Sequence, residues 1–138
     1  CSSLVELRDV MPTFLDLAGV DIPASLDGRS MLSGGGCETR KYLHGEHSFG
    51  QDSNHFIVTG EDKYVWFSQS GREQYFDLKK DPSEAEDRIQ DPSCMERIAA
   101  LRAILVRELE GREEGYSDGH RLITGRPFRA VLSKVLSE

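Results

Sequence analysis

Residues 44 to 55, HGEHSFGQDSNH, hold three of the chain's four histidines together with Glu46, Asp52 and Asn54. Imidazole titrates near neutrality, so such a stretch can donate hydrogen bonds to an anionic ligand or act as a general acid on a leaving group, with Glu46 orienting a ring. A metal site here would draw on His44, Glu46 and His47. In a strand, however, successive side chains point to opposite faces, which puts His44 and Glu46 together and His47 away from them. The expectation is therefore no metal site in this chain. The plainer reading of the stretch is a hydrated hairpin loop in which Glu46 pairs with a nearby Lys or Arg.

Other polar groups are weaker candidates. Asp27-Gly28-Arg29-Ser30 reads as a turn with an Asx-type bond rather than an anion cradle, despite Arg29. His120, Arg121 and Arg126 lie in a stretch with few apolar residues, where the arginines could bind an anion or reach over a neighbouring domain. Such a tail is expected to be loose on its own, or to swap onto a neighbour. Cys1, Cys37 and Cys94 are odd in number and show neither CxxC nor Cys/His spacing, so they read as ordinary thiols.

The elements that must position these residues follow from pattern. Val10, Met11, Phe14, Leu17 and Ala18 recur at helical spacing over residues 9 to 18, with Asp9 able to cap, Pro12 in the first turn and Gly19 as the left-handed terminator. A connector with a triple glycine follows, ordered around Leu26 to Leu32. Four short runs rich in β-branched and aromatic residues then span Lys41 to His47, His55 to Thr59, Lys63 to Ser68 and Glu73 to Leu78. Phe56 with Val58, and Tyr64 with Trp66, each share a face, as in a sheet covered on one side. The cover is a helix over 92 to 110, with Ile98, Leu101, Leu105 and Leu109 in a stripe and Asp91 or Ser93 at its start. Phe128, Val131, Leu132 and Val135 suggest a short terminal helix. The fold class is α+β, a small antiparallel sheet of about four strands packed against one long C-terminal helix.

With 138 residues, 38% hydrophobic and 30% charged, the composition is that of a globular domain with a modest core. The net charge of −7 argues against nucleic acid or an anionic membrane as partner, since both reward a basic face. No apolar run approaches the roughly 20 residues a membrane span needs, and the first ten residues lack the pattern of a signal peptide.

LRDVMPTFLDLAGVDIP, LDGRSML, YLHGEH, DKYVWF and EQYFDLKKDPSEAEDR occur in that order and are followed by a helix. This order resembles the C-terminal region of a sulfatase, in the arylsulfatase branch of the alkaline phosphatase superfamily. The resemblance covers roughly residues 4 to 110. It implies that residues 1–36 end a catalytic α/β domain and connect it onward, that 37–112 form a C-terminal subdomain, and that 113–138 are a tail with a short helix. It also implies that Lys63 is structural, and that His47 with Asn54 or His55 borders the substrate mouth.

Sulfatases resembling this chain hydrolyse sulfate esters with a formylglycine made from the Cys or Ser of a Cys/Ser-x-Pro-x-Arg motif, beside a calcium ion. The residues two before the five prolines are Val10, Asp21, Lys80, Gln90 and Gly125, so the motif is absent. The resemblance thus implies a C-terminal fragment, inactive alone, whose calcium and formylglycine lie in an N-terminal catalytic domain of the same polypeptide. Its partners would be that domain and a small sulfate ester, with self-association through the apolar face of residues 9–18. Export of the parent, periplasmic or extracellular, is a further implication. The competing readings are a phosphodiesterase or phosphonate hydrolase of the same superfamily, and a non-catalytic binding or assembly module.

Overall fold

Pro12 falls in the first turn of α1 (Val10–Leu17), where its missing N–H leaves no helical bond unmade. The helix stops at Gly19, whose φ is +68°. There the Gly19 and Val20 N–H groups donate back to the carbonyls of Asp16 and Leu15, the paired bonds by which a left-handed glycine satisfies the last turn. The computed structural model describes residues 3–32, 34, 36 and 39–127. These fall into two compact units, Cys1–Leu43 and His44–Glu138.

In the first unit Asp9 does not cap α1, as its sequence position suggested; its side chain makes no cap bond. It is fully buried and accepts four hydrogen bonds. Two come from the backbone N–H groups of Glu6 and Arg29, each at 2.8 Å, and two from Arg40, at 2.6 and 2.8 Å. Thr13 donates to the Asp9 carbonyl at 2.6 Å and accepts from the Met31 N–H at 2.9 Å, while Ser30 donates to Asp16. The Asp-x-x-Pro-Thr and Asp-Gly-x-Ser stretches thus form one polar knot that holds the connector. The apolar side of α1 stays open. Leu7, Val10, Met11, Phe14 and Leu15 line a shallow groove of about 480 Å³, with Phe14 67% exposed.

The second unit is a four-stranded antiparallel sheet in the order β1 (Leu43–His47), β2 (Asn54–Val58), β3 (Asp62–Phe67), β4 (Glu73–Asp77). Register sets His55 opposite Trp66, Ile57 opposite Tyr64 and Tyr64 opposite Tyr75, so these side chains share the face covered by α2 (Met95–Glu108). Phe56 and Val58 lie on the other face and are only half-buried. The α2 stripe is the expected one: Ile98, Leu101, Leu105 and, just past the helix, Leu109 are buried. Gly45 in β1 is required by close approach, since a Cβ there would lie 2.1 Å from the Phe56 ring.

Two arginines pin α2 to the sheet. Arg97 binds both carboxylate oxygens of Asp62, at 2.5 and 2.9 Å. Asp62 also accepts from Thr59 and from Tyr75. Burial raises the Asp62 pKa, but these donors outweigh it and hold the group ionised below the usual carboxylate range. Arg102 binds Glu73, which also accepts from the Tyr64 hydroxyl at 2.9 Å.

The stretch after β4 turns through Asp81-Pro82 and runs back along that strand. Asp87 accepts the Tyr75 N–H at 3.0 Å and the Arg88 N–H donates to the Tyr75 carbonyl at 2.8 Å. Lys63 pairs with Glu84 at 2.7 Å.

The tail is not loose up to residue 127. Tyr116 is buried, Ser117 donates to the Val106 carbonyl, and the Gly125 N–H donates to the Ser68 carbonyl at 2.9 Å. The helix expected from Phe128 lies outside the described residues.

Candidate functional site

Strand alternation distributes the histidines of residues 44 to 55 over both faces of the sheet. His44 and Glu46 project from β1 on the face that carries His55, while His47 is exposed on the other and stacks on Phe49, with ring centres 5.9 Å apart. Asn54 alternates with His55 and so shares the side of His47; its amide donates to the Asp52 carbonyl at 3.0 Å. Of the three residues expected to contact substrate, then, His47 and Asn54 share the outer face. His55 is buried on the inner one.

His55 sits in an aromatic nest. Its ring stacks on Trp66 at 6.0 Å and meets the Tyr116 ring edge-on at 5.3 Å, and Tyr116 in turn stands edge-on to Trp66 at 5.8 Å. On its remaining side His55 Nδ1 lies 3.4 Å from His44 Nε2 and 3.6 Å from a Glu46 carboxylate oxygen. Arg112, four residues beyond α2, binds that same Glu46 oxygen at 2.8 Å and Glu114 at 2.7 Å. Sequence reasoning placed Glu46 against a Lys or Arg without naming it. Arg112 and Tyr116 escaped notice because they follow the last helical repeat, in a stretch with no periodic signal.

Burial lowers the His55 pKa most, helped by the nearby His44 and Arg112 and opposed by Glu46 and Glu114; it falls from 6.5 to about 4. The ring is therefore neutral at pH 7. Between those two values the unfolded chain binds a proton at this position that the folded chain does not. Stability should then fall as pH drops from 6.5 towards 4 and be unaffected by this group above 6.5. The loss amounts to roughly 3 kcal/mol at most. Urea unfolding at pH 7 and pH 4.5 should show the difference for the parent chain. In His55→Gln the pH dependence should be flatter by that amount, and an unchanged slope would contradict the assignment.

The remaining candidates are structural in their contacts. In Asp27-Gly28-Arg29-Ser30 the Arg29 N–H binds Asp9, and its guanidinium reaches the Gly36 carbonyl at 3.3 Å. Arg121 pairs with Asp118, three residues away. Cys94 is buried; Cys1 and Cys37 lie outside the described residues.

An arylsulfatase of Clostridium perfringens is 55% identical over 131 residues, covering 93% of this chain and 27% of that protein. A Delta 4,5-hexuronate-2-O-sulfatase of Bacteroides thetaiotaomicron is 30% identical over 105 residues, 70% of this chain and 22% of its own length. Among solved structures, a 2-O GAG sulfatase superposes with a TM-score of 0.61 at 26% identity, over 73% of this chain and 24% of that one. The chain thus spans about a quarter of the length of these relatives. Residues 1–111 match the family of the N-sulphoglucosamine sulphohydrolase C-terminal region, and the chain belongs to that family of sulfatase C-terminal domains.

Proposed function

We propose that this chain serves as the C-terminal domain of an arylsulfatase-type sulfuric ester hydrolase, supporting an N-terminal catalytic domain and shaping the mouth through which a small sulfate ester enters. The observation that carries the reading is the 55% identity to an arylsulfatase over nearly the whole chain. The open groove on α1 is suited to packing against that catalytic domain, since an exposed apolar stripe of this kind marks a contact surface.

The nucleophile and the calcium ion belong to the proposed catalytic domain. Bound there, the ion would neutralise sulfate charge as it moves to the leaving oxygen. Calcium takes six to eight oxygen ligands, and the nitrogen-rich grouping of His44, Glu46 and His55 does not fit it. The part we assign to this chain's own residues is contact. His47 and Asn54, on one exposed face, would offer an imidazole and an amide to sulfate or aglycone oxygens, with His55 beneath them as a rigid support.

The test uses the complete protein, coexpressed with a formylglycine-generating enzyme and assayed on a chromogenic aryl sulfate. His47→Ala should lower kcat/KM by about 10- to 100-fold, mostly through KM, the range expected for one lost charge-assisted hydrogen bond. An unchanged kcat/KM would remove His47 from the mouth. Turnover of a phosphonate monoester in preference to the sulfate would overturn the sulfatase assignment itself.

A further inference from the structure

We propose that His44, Glu46 and His55 form a three-point site for a divalent transition-metal ion of the zinc type, on the inner face of the sheet where β1 meets β2. Among the described residues this is the one group of three that offers a ligand atom from each member with all three atoms within 4.8 Å of one another. The expectation of no metal site rested on His44, Glu46 and His47, which alternation separates. Replacing His47 by His55 of the neighbouring strand puts all three on one face.

Spacing favours the ion. With zinc–nitrogen distances of about 2.0–2.1 Å, two ligands of a tetrahedral ion stand roughly 3.3–3.4 Å apart. His44 Nε2 and His55 Nδ1 are 3.4 Å apart, and His55 Nδ1 and Glu46 Oε2 are 3.6 Å apart. Small rotations of the His44 and Glu46 side chains would suffice. Two imidazoles and one carboxylate suit zinc, nickel or copper and leave a fourth position for water.

The surroundings are those of a supported site. His55 is held on two sides by Trp66 and Tyr116, so its ring orientation is fixed before any ion arrives. Arg112 binds the same Glu46 oxygen, Oε2, that faces His55; it holds the carboxylate beside the ring, and an ion would take the other oxygen or share Oε2 with it. Its positive charge is offset by Glu114, so Glu46, Glu114 and Arg112 together leave one net negative charge beside the two rings. Binding balances simply. With both rings in their neutral form, the one hydrogen between His44 Nε2 and His55 Nδ1 moves to the outer nitrogen of its own ring, which frees both inner nitrogens for the ion without net proton release.

The experiment titrates cobalt(II) into the full 138-residue chain stripped of metal. The expected result is one equivalent bound with the visible absorption of a four-coordinate nitrogen and oxygen site, no thiolate charge-transfer band, and displacement by zinc. His44→Ala and Glu46→Gln should each weaken binding by at least about 10-fold and abolish the zinc-induced rise in Tm. The Glu46 side chain is 46% exposed, so the second variant keeps the fold testable if the first does not. His120→Ala should leave binding unchanged. Absence of a bound equivalent in the parent chain, a thiolate band, or equal affinity in Glu46→Gln would overturn the proposal.

Discussion

Replacing Asp9 with alanine should cost the first unit about 3–5 kcal/mol, the loss typical when one member of a buried ion pair is removed. The Asp9 side chain is fully buried and Arg40 is only 8% exposed, so the substitution removes the carboxylate closest to a buried guanidinium and leaves it the Leu4 carbonyl at 2.9 Å and Glu6 at 3.5 Å. It also leaves the N–H groups of Glu6 and Arg29 without their acceptor. Arg40, with the backbone N–H groups of Arg29 and Glu6, holds the Asp9 carboxyl far below the usual carboxylate range against the opposing effect of burial. Asp9→Asn should recover little, because its amide nitrogen must face a donor whichever way the group turns. Denaturant unfolding should show the loss, and amide exchange at Arg29 should quicken. Replacing Asp9 and Arg40 together by apolar residues should cost less than Asp9→Ala alone. A change below about 1 kcal/mol for Asp9→Ala would mean that water reaches the pair.

Trp66→Ala should destabilise the second unit by about 3–5 kcal/mol, the range for truncating a large core aromatic. Trp66 is 2% exposed and joins His55 on β2 to Tyr116 of the tail, so its loss opens a cavity in the nest and weakens the seat of both rings. Trp66→Phe keeps a ring in place and should cost about half as much. Thermal unfolding followed by circular dichroism measures the two. Amide exchange adds a local reading: the Gly125 and Ile123 N–H groups, bonded to Ser68 and Tyr116, should exchange faster in Trp66→Ala. If they keep their protection, the tail is held without the aromatic nest.

The long helix was legible because Ile98, Leu101, Leu105 and Leu109 repeat at the helical period, and that period says which side is buried. The strands were legible from their aromatic and β-branched runs, with ends shifted by one or two residues. Which side of β2 faces the core was not. A buried histidine at 55 beside Phe56 inverts the polarity pattern, and only pairing with Trp66 and Tyr116 makes that position favourable. Asp9 read as a helix cap because local patterns cannot show that Arg40, thirty-one residues on, comes back to meet it. The grouping of His44, Glu46 and His55 failed to register for the same reason, since its members come from two strands whose register is a tertiary fact.

Asp87 and Arg88 take up both outward backbone groups of Tyr75. A sheet with two free edges can add copies of itself at both and grow without limit. Here both backbone groups at the middle of β4 are already engaged within the chain, so a strand of another copy finds no donor or acceptor at Tyr75 and addition along this edge is opposed.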